Sequence, residues 1–167
     1  MKLVILDRDG TINHDSEHYI KSLEEWRPIT GSIEAIARLT QAGYRVVVAT
    51  NQSGIARGLF TTRTLFEIHD HLQRLAVQAG GRVDAFFFCP HADTAGCQCR
   101  KPKPGMLLEV AQRFNVALKD VQAAEAAGAR PVLVLTGKGK KTEREGKLPA
   151  GTQVFPDLAA FAEHLAP

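Results

Sequence analysis

The sequence has little cysteine, no long apolar run and no strong excess of charge of either sign. Its three cysteines, Cys89, Cys97 and Cys99, fall in one short window. That is no disulfide framework, and in a cytosolic chain it points to metal or to chance. No apolar stretch approaches the length of a membrane span. Asp7 and Asp9 interrupt the N-terminal apolar run too early for a signal peptide. A cytoplasmic protein without a membrane partner is therefore expected. The 21 Lys and Arg against 18 Asp and Glu leave a formal charge of +3, not gathered into a basic run. Nothing there favours a nucleic-acid partner, although local Lys or Arg can serve a phosphorylated small molecule. Internal repeats and low-complexity tracts are also missing. What is present is 44% hydrophobic residues over 167 positions, enough to bury a core as one domain, residues 1–167.

Apolar runs alternate with helical patterns, which implies βαβ units, an α/β fold and a mainly parallel sheet flanked by helices. Strands are predicted at Lys2–Leu6, Tyr44–Ala49, Ala85–Cys89 and Val132–Thr136. Helices are predicted at Ser32–Gln41, Thr62–Ala79, Gly105–Phe114 and Pro156–Ala166. Gly43 stops the first helix, and Thr61 or Thr62 caps the second. Without a strand after it, Met106–Ala127 also reads as one long helix. The Lys- and Gly-rich stretch Gly137–Gly151 reads as a solvated loop.

The most informative segment is Leu3-Val-Ile-Leu-Asp7-Arg8-Asp9-Gly10-Thr11. An apolar strand ends in two carboxylates one residue apart, followed by glycine. The carboxyl ends of strands are where open α/β sheets place ligands. Two carboxylates there can hold a divalent cation, and one can attack an electrophile while the other handles a proton.

Cys89-Pro90-His91 and Cys97-Gln98-Cys99 form a second constellation. Three thiolates and one imidazole are a tetrahedral ligand set suited to structural Zn²⁺, with no open position for catalysis. The metal would order a loop that lacks a core of its own. The remaining histidines, His14, His18, His69, His71 and His164, show no comparable grouping and are expected to be mostly solvated. A third cluster follows the second strand as Thr50-Asn51-Gln52-Ser53-Gly54, where a hydroxyl, an amide and backbone N–H groups suit phosphate oxygens. Arg100-Lys101-Pro102 follows the cysteine cluster directly, and Lys101 could neutralise a transferring phosphoryl group.

The pattern hhhhDxDGT, with Thr50 and Lys101 in order behind it, resembles the haloacid-dehalogenase superfamily of phosphatases. The segments DRDGTIN, TNQSGIARG, CPH and CxCRKPxPGM look like the bacterial D-glycero-D-manno-heptose-1,7-bisphosphate 7-phosphatases, which are similar to the histidinol-phosphatase branch. The resemblance implies a Rossmann-like haloacid-dehalogenase fold with a small zinc loop and minimal or no cap domain. It implies Asp7 as nucleophile, Asp9 as general acid and base, Mg²⁺ between them, and Thr50 and Lys101 on the phosphoryl group. It further implies Asp15, Asn51, Gln52, Ser53 and Arg100 at the substrate, with Arg100 reading the phosphate that stays. The expected substrate is a small phosphorylated sugar, the C7 phosphate of heptose 1,7-bisphosphate, on the way to nucleotide-activated heptose for lipopolysaccharide core. A monomer is expected.

The chain departs from the family at one place. Members carry an apolar strand and Gly-Asp before a helix of the type Gln122–Ala129, whereas here that helix follows Val121 directly. The Asp that would be the third Mg²⁺ ligand has no counterpart. The lost strand would lie beside the first strand, so its loss would leave a gap in the core or force the sheet to close up. A true deletion should cost more than the usual 5–15 kcal/mol margin of stability, which favours residues dropped from the sequence over a crippled enzyme. Two alternatives therefore stand beside the main reading: a histidinol-phosphate phosphatase, and a module that binds a phosphorylated ligand without turnover.

Overall fold

A computed structural model describes residues 1–116 and 130–167. The elements, in chain order, are β1 (Lys2–Leu6), α1 (Ser32–Gln41), β2 (Tyr44–Asn51), α2 (Thr62–Gln78), β3 (Ala85–Cys89), α3 (Gly105–Phe114), β4 (Val132–Val134), α4 (Gly139–Glu145), β5 (Gln153–Phe155) and α5 (Leu158–Leu165). Short 3₁₀ turns lie at Leu23–Glu25 and Asp93–Ala95.

β1, β2 and β3 form a parallel sheet in that order, and β4 pairs with β5 in a second parallel pair. The pleat of β2 divides the core. Val46 and Val48 face a cluster with Ile36 and Leu39 of α1, Ile68 and Leu72 of α2, and Leu158 and Phe161 of α5. Val47 and Ala49 point the other way, onto Phe87 of β3 and Met106 and Val110 of α3. Side chains at alternate positions of a strand take opposite faces, so a continuous apolar run is what a sheet covered on both sides requires. This is the expected α/β layering.

Several boundaries differ from expectation. β2 runs on to Asn51 because its last residues still pair with β3, Asn51 opposite Cys89. α2 stops one residue earlier, at Gln78. α5 begins at Leu158, since the Asp157 carboxylate accepts from the Ala160 N–H at 2.8 Å and caps the helix. β4 ends at Val134 rather than Thr136. The predicted loop over 137–151 contains α4, a seven-residue helix. Its sequence Gly-Lys-Lys-Thr-Glu-Arg-Glu has no apolar face, so nothing in its periodicity distinguishes it from a solvated loop. α3 closes at Phe114 with Asn115 in the left-handed region (φ 50°), which ends it there rather than in one long helix. The anticipated helix Gln122–Ala129, and the junction at Val121-Gln122, lie outside the described residues.

Among the described residues, no strand pairs with the outer edge of β1. The segment after β4 comes close to the β1 exit instead. Thr136 Oγ1 donates to the Gly10 carbonyl at 2.6 Å. Gly137 packs so tightly on Gly10 that a Cβ there would lie 2.6 Å from the Gly10 Cα. Both glycines have positive φ, +79° and +53°, and only glycine meets both demands at low cost.

Candidate active site

Parallel strands put their carboxyl ends on one edge, and the exits of β1, β2 and β4 converge there on a pocket of about 550 Å³. Asp7, Asp9, Asp15, Thr50, Asn51 and Gln52 all line it. Of the other residues singled out by sequence, Lys101 reaches Asp7, whereas Ser53 and Arg100 are not among the lining residues.

Asp7 follows β1 directly and is nearly half exposed, 46% of its side chain. Its Oδ1 accepts from the Arg8 N–H at 2.8 Å, and its Oδ2 pairs with Lys101 Nζ at 2.8 Å. Lys101 is fixed from two sides. Its Nζ donates to the Ala49 carbonyl at 2.7 Å. Its backbone N–H donates to Asn51 Oδ1 at 3.1 Å, and its carbonyl accepts from Asn51 Nδ2 at 3.0 Å. Asn51 thus spends its amide on holding the lysine. An exposed carboxylate beside a tethered ammonium is an arrangement that can accept a phosphoryl group and balance its charge.

Asp9 is held far more tightly. Its Oδ1 accepts from Arg8 Nε at 3.0 Å, Arg8 Nη2 at 2.9 Å and Asn13 Nδ2 at 2.9 Å. Its Oδ2 accepts from Gln52 Nε2 at 2.8 Å and from Arg8 Nη2 at 3.2 Å. Gln52 also donates to Thr50 Oγ1 at 2.9 Å, and both residues are buried. Asp15 sits at the mouth, its Oδ2 paired with Lys138 Nζ at 3.2 Å.

Three features escaped the sequence reading. Thr136, Lys138 and Thr142 line the pocket from the segment after β4. A strand exit followed by Thr-Gly was the available signal. Arg8, between the two aspartates in sequence, is completely buried, with its guanidinium on Asp9 alone among the described residues. His69, expected in solvent, is buried on α2, stacked on Phe86 with ring centroids 4.4 Å apart. Burial and the neighbouring Arg8 charge push its pKa down to about 3, so the ring is neutral.

The cysteine cluster assembles as the spacing predicts. The ligand atoms of Cys89, His91, Cys97 and Cys99 lie within 4.8 Å of one another. Their close contacts run from 3.0 Å (Cys99–Cys89) to 3.6 Å (Cys89–Cys97). A tetrahedron with Zn–S bonds of about 2.3 Å has edges of about 3.8 Å, so little movement separates this cluster from a metal centre. Burial and the adjoining thiols push Cys99 up to about 12. On Cys97 burial is outweighed by the Arg100 N–H, the other two cysteines and His91, which bring it to about 7. Three adjacent sulfurs do not ionise together without a cation, which is the need a zinc ion meets.

Comparison with known proteins agrees with this geometry. A family model described as polynucleotide kinase 3 phosphatase matches residues 2–138. The chain is similar to the D-glycero-beta-D-manno-heptose-1,7-bisphosphate 7-phosphatase of Bordetella bronchiseptica, with 55% identity covering 99% of this chain and 98% of the relative. The same enzyme of Neisseria meningitidis is 51% identical over 99% and 95%. The crystal structure of the Bordetella bronchiseptica protein complexed with magnesium and phosphate matches with a TM-score of 0.93 over 99% and 98% of the two chains. The alignment with that relative spans 175 positions against 167 residues here, so at least eight positions of it have no counterpart. Identity of this order over the whole chain, on the same fold and with the same strand-exit carboxylates, shows that the chain belongs to the heptose-1,7-bisphosphate 7-phosphatase family of haloacid-dehalogenase-like phosphatases.

Proposed function

We propose that this chain removes the C7 phosphate of D-glycero-D-manno-heptose 1,7-bisphosphate through an aspartyl-phosphate on Asp7. The observation that carries this reading is the exposed Asp7, paired with Lys101 and facing the pocket beside Asp9 and Thr50, in a chain 55% identical to the Bordetella bronchiseptica enzyme. Asp7 attacks phosphorus in line, and the bond from phosphorus to the sugar oxygen breaks. Asp9 gives its proton to that oxygen. It then takes a proton from the water that attacks phosphorus, the bond to Asp7 breaks, and inorganic phosphate leaves. Lys101 balances the equatorial oxygens, and the Thr50 hydroxyl, its oxygen already accepting from Gln52, donates its proton to one of them.

The Asp7 carboxylate and the backbone carbonyl of Asp9 are hard oxygen donors at the strand exit and fit Mg²⁺, which is commonly held by one or two carboxylates together with water and phosphate oxygens. Among the described residues no third carboxylate joins Asp7 and Asp9 as a ligand group. When bound there, Mg²⁺ supplies charge neutralisation and fixes the phosphate's orientation. Asp15, Asn51, Gln52, Ser53 and Arg100 are assigned to the substrate side, Arg100 to the phosphate that is retained, for which a guanidinium fork is suited. Cys89, His91, Cys97 and Cys99 hold structural Zn²⁺. The chain works as one domain and as a monomer in the cytoplasm, supplying heptose for lipopolysaccharide core. Among the described residues, no helix is long and apolar enough to cross a membrane.

Rates on heptose 1,7-bisphosphate and on histidinol phosphate test the assignment. The expected kcat/KM is at least about 100-fold higher for the sugar, the preference expected of a chain 55% identical to a heptose-1,7-bisphosphate 7-phosphatase. Equal rates, or a preference for histidinol phosphate, would overturn it.

A further inference from the structure

Arg8 stands between the two catalytic carboxylates in sequence, yet it turns away from the pocket. Its side chain is 1% exposed, against 23% for Asp9 and 46% for Asp7. The guanidinium makes a fork on Asp9 through Nε and Nη2, while Nη1 is buried without a hydrogen-bond partner among the described residues. Neutral His69 lies nearby, also buried, with neither ring nitrogen partnered among those residues. A buried ion pair is poor evidence of stability, because the cost of removing both charges from water offsets their attraction. The pair therefore calls for another reason.

The distances supply one. Asp9 Oδ1 takes three donors, two from Arg8 and one from Asn13, each at 2.9–3.0 Å. Oδ2 takes one close donor, Gln52 at 2.8 Å, and a longer one at 3.2 Å. An oxygen with three short donors has no room for a proton or a further partner. Resting on the phosphatase reading, we propose that Arg8 is a positioning residue: its fork occupies Oδ1, fixes the carboxylate plane, and leaves Oδ2 as the atom that carries the proton to the sugar oxygen. Arg8 is not among the residues lining the pocket. Its guanidinium acts through Asp9, and its backbone N–H donates to Asp7.

The test compares leaving groups. p-Nitrophenolate departs without a proton, whereas a sugar alkoxide needs one. For Arg8→Met and Arg8→Lys, first-turnover phosphorylation of Asp7 is followed with heptose 1,7-bisphosphate and with p-nitrophenyl phosphate, alongside kcat and KM. The expected result for Arg8→Met is a loss of about 100-fold with the sugar, the size of a general-acid contribution, with KM little changed. The loss with p-nitrophenyl phosphate stays below about threefold, and Arg8→Lys recovers part of the rate. In an Asp9→Asn background, Arg8→Met costs almost nothing further, since residues that act as a unit are not additive. Equal losses on both substrates, or a full loss in the Asp9→Asn background, would overturn the proposal. Where Arg8→Met does not fold, Arg8→Lys carries the same comparison. If the unmutated chain turns over neither substrate, the phosphatase reading fails on its own. The crystal structure of the Arg8 variant then decides the positioning: an Asp9 carboxylate that has swung away supports it, and one unmoved against Asn13 and Gln52 refutes it.

Discussion

Replacing Asp7 with Asn is expected to lower kcat on heptose 1,7-bisphosphate by at least about 10⁴-fold while leaving the fold intact. The amide keeps the shape of the side chain but cannot form the acyl-phosphate. Lysine and backbone partners on Asp7 are partly solvent-exposed, so the change in stability should stay within about 0.5 kcal/mol, as for other exposed positions. Two measurements separate chemistry from folding. Thermal melting should be unchanged. Acid quench of the active chain during turnover, followed by borohydride reduction, should mark residue 7 and no other carboxylate. Asp9→Asn should lose turnover as well, yet still bind substrate, because the role proposed for it is proton transfer. An Asp7→Asn chain that retained activity would mean that another group attacks phosphorus.

A second large effect is expected in the pH dependence of stability. His69 titrates near 6.5 in the unfolded chain and near 3 in the folded one. Its ring is buried on Phe86, with Phe88 nearby, and the charges around it are those of Arg8 and Asp9. Between those two values the unfolded state binds the extra proton. Stability is therefore fully present above pH 6.5 and is lost as pH falls below it, by up to about 1.4 kcal/mol per unit. Going from pH 7 to pH 5 should remove about 2 kcal/mol, or about 4–8 °C of melting temperature for a chain of this size. Asp84 contributes in a lower window. Although burial opposes ionisation, Arg45, the Val46 N–H and Arg82 hold its carboxyl below the usual range, so its contribution fades only in stronger acid. The comparison that isolates His69 is the melting temperature of the native chain and of His69→Phe at pH 7 and pH 5. The variant should lose much less on acidification. Equal slopes would mean that the imidazole finds solvent or a partner when charged.

The division between what was legible in the sequence and what was not follows the range of the interactions. β1, β2 and β3 are apolar runs whose character survives without knowing their neighbours, and their bounds agree closely with expectation. The cysteine cluster is also local, four ligands between positions 89 and 99, and it assembles as the spacing suggests. Asp7, Thr50 and Lys101 come together because three parallel strands place their ends on one edge. α4 and β5 were missed because one is polar all round and the other has three residues with two exposed. Arg8 and His69 were missed for a deeper reason. Charged and titratable side chains are normally solvated, and only the tertiary fold reveals that these two are buried behind Asp9. Ser53 and Arg100 carry motif positions, yet neither lines the pocket, although Asn51 and Gln52 beside Ser53 do.

The most direct test of the central claim is ³¹P NMR of D-glycero-D-manno-heptose 1,7-bisphosphate incubated with the intact chain and Mg²⁺. The C7 resonance should disappear as inorganic phosphate grows, with the C1 resonance retained and the conversion stopped by chelating the metal. Release of the C1 phosphate, or an unchanged spectrum with the ligand bound, would contradict the account.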